Sequence, residues 1–288
     1  MRHRTFMRLR RALIRALDRP GGRGVLGALA GRLARQSAPG VRVYFRDGMW
    51  MHREGDVVFV DAPTFGYYPD VFRTWAGEFR RCTAEAADHW FHVYEPRAGH
   101  VILDVGAGKG EDTIAFSKAV GPEGRVIAIE AHPVTFGCLR LFCRLNRLHN
   151  VEPMHLAIVD RAGPVAIETT EAWQGNGIVN AEQGEGPVVP GVTLDEVVER
   201  SDLKHIDFLK MNIESAEIRA IQGMMKTLQI TGSLCISCHD FRANRGEGEF
   251  FRTKASLQDA VEQAGFRIVL RDADSRPYVS DQVNGVRE

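Results

Sequence analysis

The residues best placed to do chemistry fall in one run: Val101-Ile102-Leu103-Asp104-Val105, then Gly106-Ala107-Gly108-Lys109-Gly110, then Glu111-Asp112-Thr113. The first five read as a buried strand, the glycines as a tight turn, and the acids as the opening of a helix. Glycine admits positive φ and lets a ligand come close to the backbone, while the free N–H groups of a helix start favour an anionic or polar partner. A second apolar run, Arg125-Val126-Ile127-Ala128-Ile129-Glu130, ends in an acid twenty residues after Gly110. A carboxylate at that strand end can accept hydrogen bonds from both hydroxyls of a ribose. Asp160, just after a third apolar run, either faces an adenine or serves as the turn acid before Arg161-Ala162-Gly163.

The spacing of the third glycine separates two classes of nucleotide-type ligand. A dinucleotide fingerprint reads G-x-G-x-x-G, whereas this chain has G-x-G-x-G with an acid two residues before the first glycine. That form resembles the first motif of class I methyltransferases, which use the turn to admit the methionine part of S-adenosylmethionine. A short-chain dehydrogenase would also need a Tyr-x-x-x-Lys pair, and none of Tyr44, Tyr67, Tyr68, Tyr94 or Tyr278 has Lys four residues on. An amino-methylating nucleic-acid enzyme would show Asp/Asn-Pro-Pro-aromatic at the fourth strand, where this chain has Asn212-Ile213-Glu214.

Four segments in order, Val101 to Gly110, Ile129-Glu130-Ala131-His132-Pro133, Val192-Thr193-Leu194-Asp195 and Leu209 to Glu217, together resemble the FkbM-type methyltransferase family. The resemblance runs from about residue 98 to 271. It implies the seven-stranded, Rossmann-like class I α/β fold, mostly parallel with an antiparallel last strand and helices on both faces. It also implies S-adenosylmethionine as methyl donor and O-methylation of a hydroxyl on a sugar, polyketide or similar small metabolite. The cofactor-binding set is then Asp104, Gly106, Ala107, Gly108, Gly110, Glu130, Ala131 and Asp160. The commoner family form has Asp at the position of Asn212 and Gly at that of Ser215. Asn212 cannot act as a base and would be a weaker metal ligand, so a divalent metal stays open, with no ligand set to support it. Ser215 reads as the milder change, because Ser caps a helix start well.

Methyl transfer to an alcohol needs the oxygen in line with the donor and help in removing its proton. Lys210, Asn212 and Glu214 lie at the end of the fourth strand and His239 and Asp240 at the end of the fifth, so they should face one crevice. His239 is the candidate general base, oriented by Asp240 or Glu214. For Lys210, an ion pair with Glu217 or Asp207 is the stronger reading, and His132 is expected only beside the adenosine.

Positioning these groups requires alternating strands and helices. The patterns predict strands over 101–105, 125–130, 151–158, 206–211, 234–239 and 266–271, and a final run from Tyr278 to Val283. Helices are predicted over 111–120, 134–148, 193–200, 214–228 and 254–264. Three regions follow: a basic helical extension over 1–40, a cap over 41–97 and the cofactor-binding domain over 98–288. The cap holds β-like runs at Val41 to Phe45 and Val57 to Val60, the turn Phe65-Gly66-Tyr67-Tyr68-Pro69, and the aromatics Trp75, Trp90, Phe91 and Tyr94. Those aromatics either wall an acceptor pocket or pack the cap on the core.

Composition bounds what remains. The 288 residues, 44% hydrophobic and 26% charged, suit one globular enzyme core and not a disordered chain. Residues 1–40 carry ten arginines against Asp18 alone, so the balanced total leaves the remainder of the chain acidic. A nucleic-acid-binding core is therefore not expected. Residues 4–19 form a basic amphipathic pattern that can lie on an anionic membrane or a protein partner, or simply be solvated. The five cysteines, on a chain without a secretory signal pattern, point to the cytoplasm. Cys235-x-x-Cys238 lies in a β-like run that would aim its thiols at opposite faces, which favours core packing over zinc. The remaining rival is a cofactor-binding protein without turnover, docked through the arginine helix.

Overall fold

The computed structural model describes residues 12, 14, 16–37, 40–63, 78–167, 178–180 and 186–287. Helix α1 (Arg23–Ser37) lies on an antiparallel sheet of β1 (Arg42–Arg46), β2 (Met49–Glu54) and β3 (Val57–Asp61), with Leu26, Ala30, Val43 and Trp50 buried between them. Helix α2 (Glu78–Glu85) runs on into a π-helical turn, Ala86–Trp90.

The strand and helix runs that follow make up the core: β4 (Val101–Val105), α3 (Glu111–Val120), β5 (Arg125–Glu130), α4 (Pro133–Leu145) and β6 (Val151–His155). An excursion through β7 (Ala157–Ile158), β8 (Gly163–Ile167), β9 (Ile178–Asn180) and β10 (Val188–Val192) forms a separate four-stranded sheet, ordered β7-β10-β8-β9. The chain returns through α5 (Leu194–Arg200), β11 (Ile206–Met211), α6 (Glu217–Ala220), α7 (Met225–Gln229), β12 (Thr231–Ser237), α8 (Asp240–Asn244), α9 (Lys254–Gln263), β13 (Arg267–Val269), α10 (Pro277–Ser280) and β14 (Gln282–Val286).

The seven-stranded sheet is ordered β13-β14-β12-β11-β4-β5-β6. All its pairings are parallel except those of β14 with β12 and β13. The expected α/β sheet with its antiparallel end is therefore present. Successive chain connections leave in opposite directions from β4, and a crevice opens at the carboxyl ends of β4 and β11, where such folds bind ligands. Side chains alternate across the sheet: Leu103, Val105, Leu209 and Met211 join one buried cluster, Ile102 and Phe208 another. Asp104 and Lys210 share the second face, and the register places them opposite each other.

Strands 101–105, 125–130 and 206–211 and helix 111–120 have the predicted bounds. The predicted strand 151–158 instead splits at Leu156, its two parts entering different sheets. The predicted helix 214–228 is broken. Gly223 lies so close to the backbone that an added Cβ would stand 2.5 Å from Val159 O, and a 3-10 turn, Ile221–Gly223, separates α6 from α7. The last strand begins four residues later than predicted because Pro277, suited to a first helical position, starts α10. The Val192 to Asp195 motif is a helix start: Thr193 Oγ1 accepts from Glu196 N at 3.1 Å, and Asp195 accepts from Thr227 N at 2.7 Å.

Cys235 and Cys238 are buried in clusters on opposite faces, as the β-like spacing predicts. Among the described residues no group of three or more His, Cys, Asp or Glu is placed to hold a metal ion, and no helix is long and apolar enough to cross a membrane. Tyr94 stacks on Phe208 with ring centroids 4.7 Å apart, so it packs cap on core, and Phe91 packs beside it. Trp75, the 65–69 turn and most of the arginine-rich 4–19 segment lie outside the described residues.

Candidate cofactor and acceptor site

A cavity of about 750 Å³ opens over the carboxyl ends of β4, β5, β11 and β12. Gly106 has φ +77°, and an added Cβ would stand 2.0 Å from Asn212 O, so only glycine fits between the two strand ends. Lys210 Nζ donates to Gly106 O at 2.7 Å and to Asp104 Oδ1 at 2.9 Å. The other Asp104 oxygen accepts from Thr113 Oγ1 at 2.6 Å. The sequence expectation for Lys210 is thereby corrected: its partner is Asp104, directly across the register, and not Glu217 or Asp207. Asp104 acts from beneath the turn.

Gly106, Gly108, Glu130, Ala131, Ile158 and Ile167 line the cavity. Glu130 accepts from Gly108 N at 3.0 Å and from His132 N at 2.8 Å, which ties the end of β5 to the glycine turn. Burial outweighs these two backbone donors and pushes its carboxyl up to about 7. His132 lines the cavity and caps α4 by accepting from Thr135 N at 3.4 Å.

Four proposed cofactor residues stand off the wall. Asp104 is buried beneath the turn, and Ala107 is buried in the cluster with α4. Gly110, at φ +103°, is needed because a Cβ there would meet Phe142 at 2.7 Å. Asp160 is not in the cavity lining: Arg219 Nη2 and Nε donate to its carboxylate at 2.9 and 3.1 Å, in line with the turn-acid alternative.

Asn212, Glu214 and His239 also line the cavity, brought together as expected. Asn212 N donates to Val105 O at 3.0 Å, fixing the backbone of β11 beside β4 beyond the strand ends. His239 is 4% exposed; its Nε2 lies 3.4 Å from Glu214 Oε1 and its Nδ1 3.8 Å from Glu217 Oε1. Burial opposes the imidazolium, but the Glu214 and Glu217 carboxylates outweigh it and raise the His239 pKa above its ordinary value. Asp240 does not orient His239. The strand ends at Ser237, His239 already caps α8, and the Asp240 carboxylate turns away to accept from Thr253 N at 2.8 Å and Lys254 N at 3.0 Å.

Glu214 and Ser215 are both left-handed, with φ +55° and +77°. Ser215 is thus no helix cap, since α6 begins two residues later with Ala216 at its N-cap. It is a side chain in a conformation suited to glycine, at a cost of roughly 1–3 kcal/mol. Ser215→Gly is expected to raise the unfolding free energy by about 1 kcal/mol, read by urea denaturation; an unchanged or lower midpoint contradicts this.

With this geometry in place, residues 104–268, more than half of the chain, match the family model described as the methyltransferase FkbM domain. The chain belongs to the FkbM methyltransferase family. Among solved structures it is similar to the FkbM methyltransferase of Methylobacillus flagellatus KT, at 15% identity and TM-score 0.45. That alignment covers 75% of this chain and 60% of that one. Aeropyrum pernix fibrillarin, in complex with natively bound S-adenosyl-L-methionine, aligns at 15% identity and TM-score 0.43 over 85% of this chain and 99% of its own. An O-methyltransferase from Bacillus cereus, in complex with SAH, aligns at 11% identity and TM-score 0.43 over 73% and 80%. No curated protein matches the sequence.

Sequence reasoning about this FkbM domain missed three groups. Glu217, the last residue of its fourth motif, accepts from Ile213 N at 2.7 Å and flanks His239. Its position in the motif was the available signal. Asp112 and Tyr278 line the cavity beside Trp90. Trp90 itself was legible as a possible wall.

Proposed function

We propose that the chain is an S-adenosylmethionine-dependent methyltransferase that methylates a hydroxyl of a small molecule such as a sugar or polyketide. The observation that carries this reading is the Glu130 carboxylate standing beside the Gly106–Gly108 turn at the mouth of the β4–β11 crevice. The residues fit the cofactor: Gly106 leaves the backbone uncovered, and Glu130 presents acceptors for ribose hydroxyls. Ala131, Ile158 and Ile167 offer an apolar slot of the kind an adenine occupies. When bound, S-adenosylmethionine supplies an electrophilic methyl group.

His239 receives the acceptor's hydroxyl proton, and Glu214 and Glu217 stabilise the imidazolium so formed. Asn212 orients the hydroxyl through its amide and does not move a proton. Trp90 and Phe241 give the cavity aromatic lining. The arginine-rich segment and any membrane or protein contact through it have no part in this reading, and a nucleic-acid acceptor is not proposed.

The test is the pH dependence of S-adenosylhomocysteine binding. The raised Glu130 pKa means that its carboxylate, the form that accepts from the ribose, is depleted as pH falls through about 7. Affinity is therefore full at pH 8 and about tenfold or more weaker at pH 6, and Glu130→Gln removes most of the dependence. Equal or tighter binding at pH 6 in the wild type contradicts the assignment.

A further inference from the structure

Of the carboxylates that line the cavity besides Glu130 and Glu214, Glu85 pairs with Arg81 and Glu111 with Lys109, which leaves Asp112. Asp112, on the first turn of α3, lines the same wall as Gly106, Gly108 and Lys210. The indole of Trp90, from the π-helical turn before β4, donates a hydrogen bond to it. Lys210 Nζ sits 5.1 Å from the centre of that Trp90 ring. Three acids, Asp104, Asp112 and Glu130, thus surround a single buried lysine.

The neighbouring cations each have a nearer acid. Lys210 is committed to Asp104 at 2.9 Å, Lys109 pairs with Asp61 and with Glu111 at 3.0 Å, and Arg81 pairs with Glu85 at 3.2 Å. Glu111, the adjacent acid of α3, adds to the negative field around Asp112. A carboxylate removed from water and set among other acids is costly unless a cation joins it. Burial, the largest cause, together with the acids Asp104 and Glu111, outweighs the Lys210 charge and the Trp90 hydrogen bond and pushes the Asp112 carboxyl up to about 6. The bland account, a first-turn acid favoured by the helix dipole, explains neither its place on the cavity wall nor the indole aimed at it.

We infer that Asp112, held by Trp90, is the anchor for the α-ammonium group of the cofactor's methionine part. This rests on the methyltransferase reading and assigns within it a residue outside the glycine turn and the Glu130 anchor. The ammonium supplies the missing positive charge, and Gly106 and Gly108 lie next to Asp112 along the same wall. The N-terminal subdomain, through Trp90, thereby takes part in cofactor binding. Trp90 is 5% exposed and packs against the core, so the indole keeps its orientation.

The test compares S-adenosylhomocysteine with 5′-methylthioadenosine, which keeps the adenosine and sulfur but lacks the amino-acid portion. Both are titrated calorimetrically into the full-length wild type, Asp112→Asn and Trp90→Phe. Asp112→Asn should weaken S-adenosylhomocysteine about tenfold or more and leave 5′-methylthioadenosine within twofold. Trp90→Phe, which removes the indole N–H donor together with part of the ring's volume, should shift the same ligand in the same direction by less and likewise spare 5′-methylthioadenosine. Unchanged S-adenosylhomocysteine affinity in Asp112→Asn overturns the inference, as does a parallel loss for both ligands. Wild type that binds neither ligand overturns the methyltransferase reading itself, and the inference with it.

Discussion

Lys210→Met is expected to destabilise the protein by about 3–5 kcal/mol, the usual consequence of removing one partner from a buried ion pair. Lys210 and Asp104 are 1% and 0% exposed, and the substitution leaves the Asp104 carboxylate with only Thr113 Oγ1 as a side-chain donor. The loss should appear in urea unfolding as a lower midpoint at unchanged slope. Asp104→Asn in the Lys210→Met background should recover much of it, because the uncompensated charge is then gone. A Lys210→Met midpoint within about 0.5 kcal/mol of wild type would contradict the role given to the pair. The same substitution frees Gly106 O, which Lys210 holds at 2.7 Å, so any ligand that depends on the turn should bind more weakly.

His239→Ala is expected to lower methyl transfer about 100-fold or more, the range for loss of a general base. Affinity for S-adenosylhomocysteine should stay within about twofold, since His239 serves the acceptor and not the cofactor. The measurement is transfer of labelled methyl groups from S-adenosylmethionine to a panel of hydroxylated sugars and polyketides. Because Glu214 and Glu217 raise the His239 pKa, its base form is gained only above the ordinary imidazole value. The wild-type rate should therefore rise with pH through a pKa higher than about 6.5, and that limb should vanish in the variant. An unchanged rate in His239→Ala removes it as the base.

Sequence patterns carried the centre of the sheet because β4, β5 and β11 are covered on both faces, which makes each a near-continuous apolar run. Strands β2, β8 and β10 gave no such signal. β2, Met49-Trp50-Met51-His52-Arg53-Glu54, has no β-branched residue, and β8 and β10 contain Gly163-Pro164 and Pro190-Gly191, which read as turns. The cofactor half of the site was legible from local spacing, as Glu130 follows the glycine turn at a fixed interval. Residues whose roles depend on distant partners were not. Asp160 pairs with Arg219, 59 residues away, and Asp112 gains its meaning from an indole on another element. Asp240 failed as an orienter for a directional reason: the chain turns into α8 at His239, so neighbouring side chains diverge.

The account turns on whether the glycine turn and Glu130 bind a methyl donor's nucleoside or a dinucleotide. Calorimetric titration of the full-length protein with S-adenosylhomocysteine, with NAD(H) as control, decides this, in wild type and in Glu130→Ala. The account predicts micromolar S-adenosylhomocysteine binding that Glu130→Ala weakens by about 1 kcal/mol or more, and no NAD(H) binding. Binding of NAD(H) without binding of S-adenosylhomocysteine would contradict it.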